Sequence, residues 1–467
     1  MKQGICLILC SILLACGGGG SSTPVVQPPE QPQQPSQPVL LQQRLAAWLP
    51  AQQDWLASLS CPAAGCNTVS VSLSSRRFEP QHQRPDQTIA VLDDGGMAYL
   101  AVLPYRQRIK SYWQVNASGR FAEADPKVTV PDFVPVLYDR LRQFHQPSDG
   151  GFVPASWLTA LQPQLNKLAP GFTSPFSGHG SVALRYLAEH NPQAELVVVQ
   201  LPELLQLFSS EFCAGDVAAL QQKVSAISQQ FYQDVIIGQD VEWLNMSAGY
   251  DHRSLKAALQ RCPQAPEPAK HAALLAALQP FYQMLFTSPK LLGVQAGVVN
   301  NNPAQFPLDQ PVLAHRIRAG FFNTGLSSSQ LDANGVPQGA LPALPADQAN
   351  SMDVLDVLVN FASDNREFPC QLPAYGYKLP SISGLAYGPL CDDQTSWAAP
   401  VVLSRLIQLR QSRFADIAWS DDLISQLKSA LTPALCSYPA AGAAKTCKLQ
   451  DPLLHRQHEV FRLQYLP

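Results

Sequence analysis

From residue 88 onward the chain alternates short, unbroken apolar runs with longer stretches whose apolar positions recur every three or four residues. Thr88 to Leu92 (Thr-Ile-Ala-Val-Leu) is too short for a helix and apolar at successive positions, which suits a strand buried on both faces. Asp93, Asp94, Gly95 and Gly96 stop it. Residues 181–190 put Val182, Ala183, Tyr186 and Leu187 on one helical face, and Glu195 to Leu201 reads as the next strand. The order repeats: a helix from Asp216 to about Ile236, a strand over 241–246, helical segments to Phe286, and a strand from Leu291 to Ala296. Near the end, Val401 to Leu409 reads as a buried helix and Asp422 to Leu431 as a shorter amphipathic one. Strands separated by helices pair in parallel, so the expected class is α/β, a mostly parallel sheet with helices on both faces. Ligands and chemistry in such folds gather at the carboxyl ends of the strands, where Asp93 and Ser247-Ala248-Gly249 are expected.

The 467 residues are 46% hydrophobic and 14% charged, which excludes a disordered or collagen-like chain. A net charge of -3 leaves no field for nucleic-acid binding by counterion release. The apolar run from Ile5 to Ala15 suits the core of an export signal and is too short to span a bilayer. It ends Leu13-Leu14-Ala15-Cys16, which resembles the lipobox of bacterial lipoproteins. That resemblance implies that residues 1–15 leave as a signal peptide, that lipidated Cys16 anchors the protein to the membrane, and, from Gly17 in place of Asp, an outer-membrane destination. Residues 16–39, rich in Gly, Ser, Pro and Gln, read as a tether, and 40–467 as one folding unit. In an oxidising compartment the eight cysteines outside the signal and lipobox suggest disulfides. Sequence order makes Cys61 with Cys66, Cys213 with Cys262, Cys370 with Cys391 and Cys436 with Cys447 the simplest pairing. No CxxC pair or Cys/His cluster stands at ligand spacing, so no metal and no cofactor are expected.

Three short stretches stand out in chain order: Ile89 to Gly95, containing Asp93; Gly178-His179-Gly180-Ser181; and Thr395-Ser396-Trp397-Ala398-Ala399-Pro400. They resemble the Asp, His and Ser boxes of the subtilisin-like serine proteases (subtilases), in that family's order. The nucleophile pattern Gly-Thr-Ser-Met-Ala-x-Pro is matched at Thr395, Ser396, Ala398 and Pro400, with Gln394 for Gly and Trp397 for Met. Leu244-Asn245-Met246-Ser247-Ala248-Gly249 resembles the family's cleft strand. The resemblance covers roughly residues 85–435. It implies a three-layer subtilisin-like fold with a large insertion over 97–177, and a serine endopeptidase acting on polypeptides. Its catalytic residues would be Asp93, His179 and Ser396, with Ser247, Ala248 and Gly249 binding substrate.

The chemistry needs these residue types. An alcohol is a poor nucleophile at neutral pH, so Ser396 requires a base, for which His179 has the right unperturbed pKa, and a carboxylate to fix the imidazole tautomer. Asp93 fits that role by alignment with the family pattern, and Asp94 competes with it. Placing Ser396 ahead of the helix from 401 aims a helix amino terminus at the reacting carbonyl. The oxyanion donor departs from the family pattern: Val298 stands where Asn is expected, and Asn300, with Asn301 second, takes the role only if the chain bulges. Gln394 and Val298 motivate an alternative, a catalytically silent subtilase-like peptide-binding or scaffold lipoprotein. The aromatics Trp48, Trp55, Trp113, Phe281, Tyr282 and Phe286 read as packing. Asp392 and Asp393 read as a solvated loop, and segment 40–87 is too short for the family's self-cleaved pro-domain.

Overall fold

All six residues of Thr88–Asp93 are buried, which a strand allows only in the middle of a sheet covered on both faces. In the computed structural model, described over residues 37–62, 66–74, 87–93, 102–116, 118–144, 158, 160–169, 174–175, 179–191, 193–201, 209–250, 252–297, 307–309, 311–322, 355–360, 378–379 and 395–431, that is its place. The strands are β1 (Thr68–Ser72), β2 (Thr88–Asp93), β3 (Ile109–Val115), β4 (Phe121–Ala124), β5 (Lys127–Pro131) and β6 (Ser174–Pro175). They continue with β7 (Glu195–Gln200), β8 (Trp243–Met246), β9 (Leu292–Ala296), β10 (Arg316–Phe322), β11 (Val357–Asn360) and β12 (Lys378–Leu379). Eight of them form one sheet in the order β11-β10-β9-β8-β2-β7-β3-β4, every neighbouring pair parallel except β3 with β4 at one edge. The expected α/β class with a mostly parallel sheet between helical layers is therefore observed.

The pleat sorts side chains between two cores. Ile89, Val91, Leu196, Val198, Trp243, Leu292 and Val294 face the core built with helices His179–His190, Thr395–Arg413 and Asp421–Leu431. Ala90, Leu92, Val197, Val199, Leu244 and Met246 face the core with helices Val217–Phe231 and Gln279–Thr287. Phe281, Tyr282 and Phe286 lie in this second core and Trp113 beside them, so these aromatics are packing, as expected. By the period of two, Asp93, two residues after Val91, belongs to the first face, where the His179 and Ser396 helices lie.

Several boundaries differ from the sequence reading. The Ser396 helix begins at Thr395 and runs through Pro400, so Ser396 lies inside its first turn rather than ahead of it. A proline six residues into a helix lies beyond the four N–H groups that have no partner within it, so Pro400 removes one backbone hydrogen bond, to the Ser396 carbonyl. The amino-terminal helix starts at Gln37, inside the segment read as tether. Segment 97–177 does more than decorate the fold: β3 and β4 extend the main sheet, and β5 pairs antiparallel with β1. β10 was not anticipated, because its sequence alternates Arg316 and Arg318 with Ile317 and Ala319 and looks half-exposed, whereas both arginines are buried. Arg318 is held by the Asp356 carboxylate at 2.9 Å, and Arg316 donates to the Leu308 carbonyl at 2.9 Å. Burial pulls the Arg316 pKa below its ordinary value, with Asp309 opposing.

Disulfides join Cys61 to Cys66 and Cys213 to Cys262, two of the expected pairs. Cys370, Cys391, Cys436 and Cys447 lie outside the described residues, as do the signal, Cys16 and Gly17, and Asp94, Gly178, Val298, Asn300, Asn301, Asp392, Asp393 and Gln394. Among the described residues no helix is long and apolar enough to cross a membrane.

Candidate active site

Asp93 is the last residue of β2 and has no exposed surface. Its main chain is held on both sides: Leu201 N–H donates to its carbonyl at 2.9 Å, and Ser247 N–H donates to the preceding Leu92 carbonyl at 3.2 Å. Its two carboxylate oxygens lie 2.9 and 2.8 Å from Nδ1 of His179. A carboxylate facing Nδ1 places the proton there and leaves Nε2 unprotonated, the tautomer of imidazole that can take a proton from an alcohol. The His179 side chain keeps 27% of its surface, so the ring is open toward solvent while the acid behind it is sealed.

His179 begins its helix, and two side chains, Arg108 and Asn191, fix that helix from its far end. Arg108, buried, donates from Nε to the Ala194 carbonyl at 3.1 Å and also reaches the carbonyls of Ala188 and Asn191, meeting one acceptor of the last turn and two just past it. Burial lowers the Arg108 pKa to about 10, still well above neutrality, so the cap stays cationic at the negative end of the helix dipole. Asn191 Nδ2 donates to the Leu187 carbonyl and to Ser404 Oγ, each at 2.9 Å, and so ties the His179 helix to the Ser396 helix.

Ser396 is the second residue of its helix. The indole of Trp397, its neighbour, packs on the His179 imidazole with ring centroids 4.8 Å apart and a tilt of 35°. The main chain that carries Ser396 is thereby brought beside the imidazole, and the π face of an almost buried Trp can steady an imidazolium by a cation–π contact of about 1 kcal/mol. The carbonyl of Ser396 accepts from Ser247 Oγ at 2.9 Å, and Ser247 Oγ accepts from Asn245 Nδ2 at 2.9 Å.

The parallel register puts these groups at one level. Leu92 pairs with Met246, and Met246 with Gln295, so Asp93, Ser247 and Ala296 are the next residues on three adjacent strands, at the carboxyl edge. Gly297 follows; its N–H bonds the Ala319 carbonyl at 2.7 Å, and a Cβ there would lie 2.0 Å from Leu355 Cδ2, so a side chain at this position requires Leu355 to move. Of the three residues read as substrate-binding, Ser247 and Ala248 are buried and Gly249 is half-buried, with open space where a side chain would project.

The fold gathers Asp93, His179 and Ser396 at one edge; Arg108 and Asn191 carry no signal of their place in the sequence, and Asn245, within the stretch that resembles the cleft strand, turns out to hold the Ser247 hydroxyl. Pro400 was the available signal for the Ser247 contact, since it orphans one carbonyl in a helix whose start had been placed too late. Neither protein-family models nor the curated proteins give a match to this chain.

Proposed function

We propose that this chain is a subtilisin-like serine endopeptidase, built on the three-layer fold of that family and held at the cell envelope by a lipid on Cys16. The observation that carries the reading is the sealed Asp93 carboxylate against Nδ1 of a half-open His179, beside the helix turn that bears Ser396. The order Asp, His, Ser along the chain and the Asn245-Met246-Ser247 strand between the last two boxes support the same family.

In this reading His179 Nε2 takes the Ser396 Oγ proton as Oγ adds to the scissile carbonyl. The resulting imidazolium is balanced by Asp93 and faced by Trp397. The C–N bond then breaks as Nε2–H passes its proton to the leaving amine, and water, deprotonated by the same nitrogen, releases the second product from the acyl-enzyme. The free N–H groups at the start of the Ser396 helix favour the oxyanion, with Asn300 as the proposed side-chain donor.

Digestion of casein and of fluorogenic peptides is the test. Wild-type protein is expected to cleave them, and Ser396→Ala and His179→Ala to lose at least about a thousandfold in kcat/KM. A folded wild-type protein that cleaves none of them would favour the silent peptide-binding lipoprotein instead.

A further inference from the structure

Pro400 stands four residues after Ser396, the position whose N–H would bond the Ser396 carbonyl in an uninterrupted helix. Proline has no N–H to give, and its ring pushes that carbonyl away from the helix axis. The carbonyl is met from the neighbouring sheet by the Ser247 hydroxyl at 2.9 Å. A serine hydroxyl has one proton; with it spent on Ser396, the oxygen is left as acceptor, and Asn245 Nδ2 donates to it at 2.9 Å. Asn245 has no exposed surface and Ser247 keeps 2% of its own, so water does not compete for these bonds. The Ser247 N–H meanwhile bonds the Leu92 carbonyl, one residue before Asp93.

Ser247 thus grips, with two different atoms, the strand that ends in the Asp93 carboxylate and the turn that carries Ser396. We infer that Ser247, oriented by Asn245, is a positioning residue that sets the Ser396 turn against the Asp93–His179 pair, in place of the helix hydrogen bond that Pro400 removes. Its hydroxyl faces inward and is not a substrate contact. The inference rests on Ser396 being the nucleophile. Without the bond, the Ser396 carbonyl is free to swing, and Oγ, carried on the same residue, swings with it. A misplacement of about 1 Å costs on the order of a hundredfold in rate.

The test uses the full chain carrying Ser247→Ala, Ser247→Thr, or Ser247→Ala together with Pro400→Ala, which gives the helix back its own donor. Two quantities are read: the rate of labelling by a fluorophosphonate, at a temperature where near-ultraviolet circular dichroism shows every variant folded, and the thermal unfolding midpoint. Ser247→Ala is expected to label roughly 10- to 100-fold more slowly than wild type and to unfold about 2–4 °C lower. Either Ser247→Thr or the added Pro400→Ala is expected to recover most of both losses. Wild-type labelling in Ser247→Ala, or a loss that neither rescue repairs, overturns the inference. If the wild-type protein takes no label, the protease reading fails separately, and the midpoints decide the positioning tie: lowered by Ser247→Ala and restored by Pro400→Ala if it holds, unmoved if it does not.

Discussion

A carboxylate with no exposed surface is costly to bury unless a donor or a cation stands against it, and at Asp93 the Nδ1–H of His179 does so. The contact works in both directions, for the imidazole gains a fixed tautomer and the acid a partner. Asp93→Asn preserves size but offers an amide that can donate to Nδ1 and so select the wrong tautomer. Activity on peptides is expected to fall about 10⁴-fold in that variant while the unfolding midpoint stays within a few degrees. Steady-state kinetics beside a thermal melt checks both halves, and a variant with near wild-type kcat would remove Asp93 from the mechanism. Trp397 is the other residue-scale feature: it gives His179 an aromatic wall.

Among the elements, β2 and the two helices it faces were legible in the sequence because continuous burial leaves a continuous apolar run, as Ile89 to Leu92 show. β10 was not, because its buried arginines carry the signature of an exposed strand and their partners, Asp309 and Asp356, come from elsewhere in the chain. The start of the Ser396 helix was missed for a similar reason. Pro400 reads as a boundary in one dimension, and the hydroxyl that makes it tolerable comes from Ser247, the residue after β8. The candidate trio was legible as residue types in order, whereas the ties around it, Arg108 to Ala194, Asn191 to Ser404 and Ser247 to the Ser396 carbonyl, are long-range contacts without local pattern.

The Arg318–Asp356 pair joins β10 to β11 and gives this element scale a pH test. Desolvation pushes the Asp356 carboxyl up, but hydrogen bonds and charge from Arg318 more than offset it and leave its pKa below the ordinary 3.8. A depressed folded pKa means stability that is present above the unfolded value and lost as pH falls through the folded one. The unfolding midpoint of Asp356→Asn is therefore expected to lie below that of wild type at neutral pH, with the gap narrowing below pH of about 4. A gap independent of pH would show that the carboxylate charge contributes nothing to the joint.

At the scale of the whole molecule, the two disulfides differ in what they restrain. Cys213–Cys262 closes a separation of 49 residues and Cys61–Cys66 one of 5. Chain entropy assigns about 4 kcal/mol to the longer and about 2 kcal/mol to the shorter. Guanidinium unfolding of Cys213→Ser/Cys262→Ser and of Cys61→Ser/Cys66→Ser is expected to preserve that ranking, and a reversed ranking would place their contribution in native packing instead. The longer bridge fastens the ends of the Ser209–Ala214 and His252–Leu259 helices on the core opposite the site, so its loss is expected to lower stability more than activity per folded molecule.

The central claim is that one hydroxyl, at Ser396, is made nucleophilic by His179 leaning on Asp93. Fluorophosphonate treatment followed by peptide mass spectrometry tests it most directly. A single covalent adduct on Ser396 is expected, absent from Ser396→Ala and strongly slowed in His179→Ala. Folded wild-type protein that stays unmodified, or carries its adduct on another residue, would contradict it.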